Sequence, residues 1–308
     1  MVKPRALRPG DRLAVVSPAS PFNREDFDRG LAEIRALGFE PVHDESVFAR
    51  TSYVSGPPEL RARAIHNAWR DASIAGVVAA RGGYGSAQVL PLLDRDAARR
   101  ARKPFIGYSD ITSLLMFLTL GCGVVSFHGP MIDRRLSRGA AGYDRTSFLR
   151  ALTRAEPVGE LTDPGVESIR SGESTGMLLG GTLTQLLASL GTPFAFAPPT
   201  GYVLFLDEVG ERPYRLDRAV TQLGQAGLLA KASAVVIGQL PNCDEPSGEP
   251  SGRAVMASLF ADFPGPVLIG FPSGHTTGPT MTLPFGVSCR VVAGDRPRLV
   301  VEESAVEE

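Results

Sequence analysis

The segment Lys103–Leu120, KPFIGYSDITSLLMFLTL, holds the reading that decides the fold. An apolar run stops at Gly107, a Ser–Asp pair sits at the break, and a helix-like apolar stretch follows. The same sequence of events occurs upstream in Ala75–Leu93, AGVVAARGGYGSAQVLPLL, where a short apolar strand meets a glycine-rich turn and then a helix. Further back, Asp11–Ser20 (DRLAVVSPAS) reads as a buried strand leaving into a loop. Asn23–Phe39 (NREDFDRGLAEIRALGF) reads as a helix stopped at Gly38. Gly123–Pro130 (GVVSFHGP) closes the series with another strand and loop. Strands that alternate with helices predict parallel βαβ units. Residues 1–150 are therefore expected to form a Rossmann-like, flavodoxin-like α/β domain. In such sheets, sites form beyond the carboxyl ends of the strands, which is where the turns Arg81–Gly85 and Gly107–Asp110 fall.

Residues 151–175 are polar and rich in Pro and Gly and read as a connection. Residues 176–308 read as a second, smaller α/β domain rich in β structure. Gly176–Phe194 is a glycine turn opening a helix, Gly201–Gly210 (GYVLFLDEVG) a strand ending in two acids, and Pro213–Ala230 a helix. Ala232–Leu240 and Pro266–Pro279 (PVLIGFPSGHTTGP) add strands, the latter breaking into a loop, and Thr282–Gly294 ends the series as β structure.

Composition narrows the function. Of 308 residues, 43% are hydrophobic and 21% charged, enough for a proper core and too apolar for a disordered chain. The net charge is -1 and no basic tract is present, which argues against a nucleic-acid partner. No apolar stretch approaches the length of a membrane helix, and the N-terminus lacks the pattern of a signal peptide. The three isolated cysteines, Cys122, Cys243 and Cys289, suit a reducing cytoplasm. Neither H-E-x-x-H nor paired-cysteine spacing occurs, so neither a metal nor another cofactor is expected.

Ser109 can be read in two ways. Ser109 or Asp110 can cap the helix that begins near Ile111. Alternatively, Gly107–Ile111 is a nucleophile elbow that lifts the hydroxyl above the sheet, with the following backbone N–H available to an oxyanion. The second glycine of G-x-S-x-G is missing. A nucleophilic serine needs a base, and four histidines can be compared. His66 lies inside a helix and His43 follows an early strand. His128, in SFHGPM, sits at a strand end and could wall the site. His275 lies in a glycine-flanked loop after an apolar strand, a position core packing explains poorly, and is the better base. Asp207 and Glu208 tip the strand LFLDE, where unpaired acids are costly. One of them could orient the imidazole, or both could be solvated beside Arg212 or Arg215. The order Ser, acid, His is one of those found in serine hydrolases. Ala80–Ser86 (ARGGYGS) lacks the residues of a P-loop, and its glycines would let backbone approach a ligand.

Taken together, ARGGYGS, PFIGYSDIT, HGPM, GGTLTQLLASLGTP, LFLDEVGERPYRLDR and PSGH resemble, in this order and over nearly the whole chain, the LD-carboxypeptidases, a family of serine peptidases. The resemblance implies a Rossmann-like N-terminal domain, a smaller β-rich C-terminal domain and a Ser–Glu–His triad between them. It implies Ser109 as nucleophile and His275 as base, with oxyanion donors from the backbone of Asp110 and of a glycine in Gly82–Gly83. It also implies cleavage of the L,D-bond to terminal D-alanine in murein tetrapeptides, in the cytoplasm, by a homodimer. The sequence departs from the family at the acid. Asp207 stands where the family usually has Glu, and Glu208 comes next; strand register favours Asp207, because a one-residue slip flips the strand face. Arg81 is expected to meet the substrate carboxylate, with Tyr84 and His128 beside the substrate. Two other readings stay open. One is the microcin-immunity branch of the family, which acts on peptidyl or aminoacyl adenylate analogues and stacks the nucleobase on an aromatic. The only Trp here, Trp69, lies within a helix. The other is a relative that binds muropeptides without cleaving them.

Overall fold

The computed structural model describes residues 1–308. Five parallel strands, β1 (Arg12–Val16), β2 (Glu40–Val42), β3 (Ile74–Ala79), β4 (Phe105–Gly107) and β5 (Ser126–His128), make up all but one edge strand of the first, six-stranded sheet. Their connections carry helices α1 (Arg24–Ala36), α2 (Pro58–Arg70), α3 (Arg95–Ala101) and α4 (Thr112–Met116). The spatial order is β5-β4-β3-β1-β2. The chain leaves β1 toward one edge and returns on the other side with β3, so a crevice opens at the carboxyl ends of β1 and β3, the usual place for a ligand in such sheets. Strands β1, β3 and β4 are buried almost throughout. That is why they read as continuous apolar runs rather than alternating ones. Helix α1 starts where the sequence indicates, with the Asn23 side chain accepting from the N–H groups of Glu25 and Asp26.

After α5 (Arg145–Thr153) the chain builds a second sheet from β6 (Pro157–Leu161), β7 (Glu167–Arg170), β8 (Gly172–Thr182), β9 (Tyr202–Asp207), β10 (Ala232–Gly238) and β11 (Val267–Phe271), with later β13 (Ser288–Ala293) and β14 (Arg298–Ser304). Helices α6 (Leu183–Ser189), α7 (Pro213–Gln225) and α8 (Gly252–Leu259) join β8, β9, β10 and β11, which pair in parallel. The remaining strands pair antiparallel, β7 on one edge and β13, β14 and β6 on the other.

The stretch 151–175, expected to be a connection, holds β6, β7 and the start of β8. It reads as loop because β6 and β7 are the two edge strands of the second sheet, half-exposed and polar in the way edges are. β12 (Leu283–Phe285) also departs from a simple division. It leaves the second half of the chain and pairs antiparallel with β5 in the first sheet, so one apolar core runs through both sheets.

Gly180 marks the tightest approach within the second sheet. It pairs with Phe205 across β8 and β9 at φ +144, and a Cβ added there would lie 1.9 Å from the Phe205 carbonyl oxygen. Gly180→Ala is expected to destabilise the fold by roughly 1–3 kcal/mol, read as a lowered urea midpoint. An unchanged midpoint would mean the two strands separate freely at that point.

Candidate active site

The site begins where β4 ends. Tyr108 is still extended, at φ -153 and ψ -171. Ser109 then adopts φ +64, a left-handed conformation rare outside glycine, before a single 3-10 turn leads into α4. This is the strained elbow expected of a serine held above a sheet. Gly107 makes room for it, since a Cβ there would lie 2.7 Å from Cγ2 of Ile111. Ile111 stands where the motif has its second glycine, and its bulk is accommodated over Gly107. The glycine turn after β3 packs on the same serine: a Cβ on Gly82 would lie 3.0 Å from Ser109 Cβ and 3.3 Å from the Asp110 nitrogen. Neither the Gly82 nor the Gly83 N–H is used in a hydrogen bond within the protein. The buried Asp110 carboxylate accepts from the Ser86 N–H at 2.8 Å and ties that turn to the elbow.

The remaining groups arrive from the second sheet. β11 ends at Phe271, and the chain turns at Gly274, with φ +80, to place His275 over Ser109. His275 Nε2 lies 3.1 Å from Ser109 Oγ, and its Nδ1 lies 2.7 Å from Asp207 Oδ2. Asp207 Oδ1 also accepts from the backbone N–H of His275 at 2.9 Å. One carboxylate therefore fixes both the ring and the main chain of the same residue. Asp207 is fully buried at the end of β9 and takes a further bond from the Thr182 hydroxyl at 3.3 Å. Thr182 in turn donates its N–H to Thr112 Oγ1 on α4 at 3.1 Å, linking acid and nucleophile helix.

Burial opposes charge on His275, but the charge and hydrogen bonds of Asp207 overcome it and hold the imidazole above its ordinary value of 6.5. Burial likewise opposes charge on Asp207, and the opposing charge and bonds of His275 hold its carboxyl below the usual range. A serine hydroxyl, an imidazole and a buried carboxylate in one hydrogen-bonded line can carry out nucleophilic acyl transfer.

Both halves of the chain match family models, residues 13–129 the LD-carboxypeptidase N-terminal domain and residues 175–291 the LD-carboxypeptidase C-terminal domain. The chain belongs to the LD-carboxypeptidase family. A putative carboxypeptidase of Streptomyces coelicolor is 37% identical, over 97% of this chain and 98% of its own. The murein tetrapeptide carboxypeptidase of Pseudomonas aeruginosa is 30% identical, over 93% of this chain and 94% of its own. Among solved structures, the microcin C7 self-immunity protein MccF in complex with glutamyl sulfamoyl guanosine shares the fold at a TM-score of 0.90, with all of both chains covered and 23% identity.

Within this member of the LD-carboxypeptidases, not every expected residue reaches the serine. Glu208 does not meet His275. Its side chain points away from the site, as strand alternation requires, and accepts from the N–H groups of Thr184 at 2.9 Å and Val209 at 3.0 Å. Burial pushes its carboxyl up to about 7, against the pull of those two bonds. His128 does not wall the site either. It is fully buried between Tyr108, Phe205 and Phe285, with Nδ1 3.1 Å from Ser273 Oγ. Burial lowers its imidazole to about 4. It supports the loop that carries His275 from beneath.

Arg81 is half-buried beside the glycine turn. Its Nε lies 3.4 Å from Asp133 Oδ2, and Nη1 donates to the Pro21 carbonyl at 3.1 Å. Tyr84 stands exposed at the turn with its ring 5.4 Å from that of Tyr53. Thr182 and Arg135 were not legible in the sequence as site residues, since only the tertiary fold brings them to Asp207 and to the His275 loop. No group of three or more His, Cys, Asp or Glu is arranged to hold a metal ion, and no helix is long and apolar enough to cross a membrane.

Two substitutions separate the acids. Asp207→Asn leaves the shape and removes the charge, and is expected to lower turnover by about 10³–10⁴-fold, as loss of the orienting acid does in serine hydrolases. Glu208→Gln is expected to stay within a few-fold of the parent. The base must be neutral to accept a proton, so kcat/KM of the parent should fall as pH drops through a midpoint above 6.5. That acid limb should move to lower pH in Asp207→Asn, because the group that raises the imidazole is gone. A steady-state pH profile of the three proteins checks all of this.

Proposed function

We propose that the protein is a serine carboxypeptidase that releases terminal D-alanine from murein tetrapeptides through an acyl-enzyme. The observation that carries this reading is the continuous hydrogen-bonded line from Ser109 through His275 to Asp207, in a chain similar over nearly its whole length to murein peptide carboxypeptidases. In this reading Ser109 Oγ attacks the carbonyl of the L-centre while His275 Nε2 takes its proton. Asp207 holds the imidazole in the right tautomer and stabilises its charge. The oxyanion would be met by the N–H of Asp110 and by the unengaged N–H of Gly82 or Gly83. His275 returns its proton to the departing D-alanine amine, and water resolves the acyl-enzyme by the reverse of the same steps.

The nucleophile would come from a unit spanning residues 1–150, and the acid and base from one spanning 176–308. Arg81 would face the free carboxylate of the substrate, and Tyr84, exposed on the same turn, would contact the peptide. We place the protein in the cytoplasm, where its three free, buried thiols are at home, and as a homodimer, the assembly implied by family resemblance.

The adenylate-analogue reading draws on a shared fold with MccF. Against it, Trp69 is buried in α2 and offers no face to a nucleobase. The intact Ser–His–Asp line argues against a relative that only binds.

Incubating the protein with the tetrapeptide should release D-alanine, detected by mass spectrometry, and Ser109→Ala should lose at least about 10³-fold of that rate. Absence of product from the parent, or undiminished turnover by Ser109→Ala, would overturn the reading. A parallel incubation with an acyl sulfamoyl adenylate separates the two hydrolase branches. Arg81→Ala is expected to raise KM about 10-fold or more, the worth of a charged hydrogen bond, with kcat little changed. Unchanged KM and kcat would remove Arg81 from substrate binding.

A further inference from the structure

Arg135 lies seven residues beyond β5, in the loop that follows His128, and only 5% of it is exposed. Its guanidinium meets no carboxylate. Nη2 donates to the carbonyls of Gly274 at 2.8 Å and Thr276 at 3.2 Å, the residues on either side of His275. Nη1 donates to the carbonyls of Gly278 at 3.1 Å and Gly142 at 3.4 Å. Nε donates to the Tyr108 hydroxyl at 3.2 Å. Tyr108 immediately precedes Ser109, and its ring stands edge-on to the His275 imidazole at 5.1 Å.

A cation buried without a counter-ion is costly, and here every contact goes to the base-bearing loop, to the residue before the nucleophile or to the adjoining chain at Gly142. The loop is also held by Asp207 on the His275 N–H, by Thr280 Oγ1 on the Gly274 N–H and by the Gln239 side chain on Thr277, and Arg135 adds the tie from the loop carbonyls to the residue before Ser109. The loop contains Gly274 and Gly278, and Gly274 has the positive φ that glycine adopts freely.

We propose that Arg135 is a positioning residue for the reaction: its planar fork pins the His275 loop to the Tyr108–Ser109 elbow, so that the imidazole stays on the serine hydroxyl. A lysine could supply the charge but not span these acceptors at once. The proposal rests on the hydrolase reading above. A second consequence is electrostatic. The titratable and charged groups that act on the imidazole are Asp207 at the end of β9, Glu208 beyond it with its side chain turned away, Tyr108 from the elbow, His128 from β5 and Arg135. Of these, Arg135 lowers the readiness of the imidazole to take a proton while the two acids raise it. Arg135 therefore keeps more of the base neutral near neutral pH.

The test uses the full-length protein with Arg135→Met and Arg135→Lys, with folding checked by circular dichroism and thermal melting. Turnover is read as kcat and KM, and the His275 midpoint by NMR titration of the imidazole, a readout that needs no substrate. In Arg135→Met, kcat is expected to fall 10- to 100-fold with KM moving less than threefold, and both the acid limb and the NMR midpoint to shift to higher pH. In Arg135→Lys the midpoint should return toward that of the parent while kcat stays about 10-fold down. If Arg135→Met does not fold, the lysine variant alone decides, through its loss or retention of kcat. Parent-like kcat in a folded variant, or a loss of kcat matched by loss of folded protein with the NMR midpoint unmoved, overturns the proposal. Should the parent itself release no D-alanine, the function reading fails, while the NMR midpoints still report whether Arg135 acts on His275.

Discussion

The site depends on one buried carboxylate. Asp207 accepts two hydrogen bonds from His275, one from the backbone and one from the ring. Those two bonds join the end of β9 to the loop after β11 and fix which ring nitrogen of the imidazole meets Ser109. In a fully buried setting such bonds are stronger than in water, and losing a partner is correspondingly costly. The family resemblance implies Glu at this position, and the shorter Asp reaches His275 because the loop comes to it. Gly274 passes so close that a Cβ there would lie 2.5 Å from the carboxyl carbon of Asp207. The short acid and the glycine are two halves of one geometry, and neither is open to enlargement by itself.

The nucleophile is prepared by a matching close approach in the first sheet. Ser109 holds a left-handed backbone in a turn where Gly82 leaves space beside the serine and Gly107 leaves space for Ile111. The glycine turn after β3 is in turn secured by Ser86 bonding to Asp110 and by the Ser20 N–H donating to the Gly82 carbonyl. Nucleophile and acid–base pair thus rest on different sheets. They are brought into register by contacts that cross between them: Thr182 to Thr112, His128 to Ser273, Arg135 to Gly274, and β12 against β5. This explains why β12 leaves its own half of the chain. It ties the strand that carries His128 to the segment just beyond the His275 loop.

Much of this was legible in the sequence, for local reasons. Fully buried parallel strands are continuous apolar runs, so β1, β3, β4 and β9 announce themselves, and the groups at their carboxyl ends are the chemistry-bearing ones. Ser109 was ambiguous between cap and nucleophile until a loop-borne histidine and an acid-tipped strand were set beside it. Strand alternation allowed only one of Asp207 and Glu208 to face the site, the position of the acid implied by the family resemblance favoured Asp207, and the structure turns Glu208 toward the first turn of α6. What stayed hidden depends on tertiary contact. His128 sits at a strand end in a promising motif, yet β12 and Phe205 cover it. The edge strands β6 and β7 carry the polar composition of a linker. Arg135 is one of two adjacent arginines, and nothing local distinguishes the buried one from Arg134, which is largely exposed.

The central claim is that Ser109 carries the acyl group during turnover. The direct measurement is to quench the protein in acid while it is turning over tetrapeptide, digest it, and locate any added mass. The account expects the peptide's acyl portion, lacking D-alanine, on the fragment that holds Ser109, and no adduct in Ser109→Ala. An adduct on a different side chain while D-alanine is being released would contradict it.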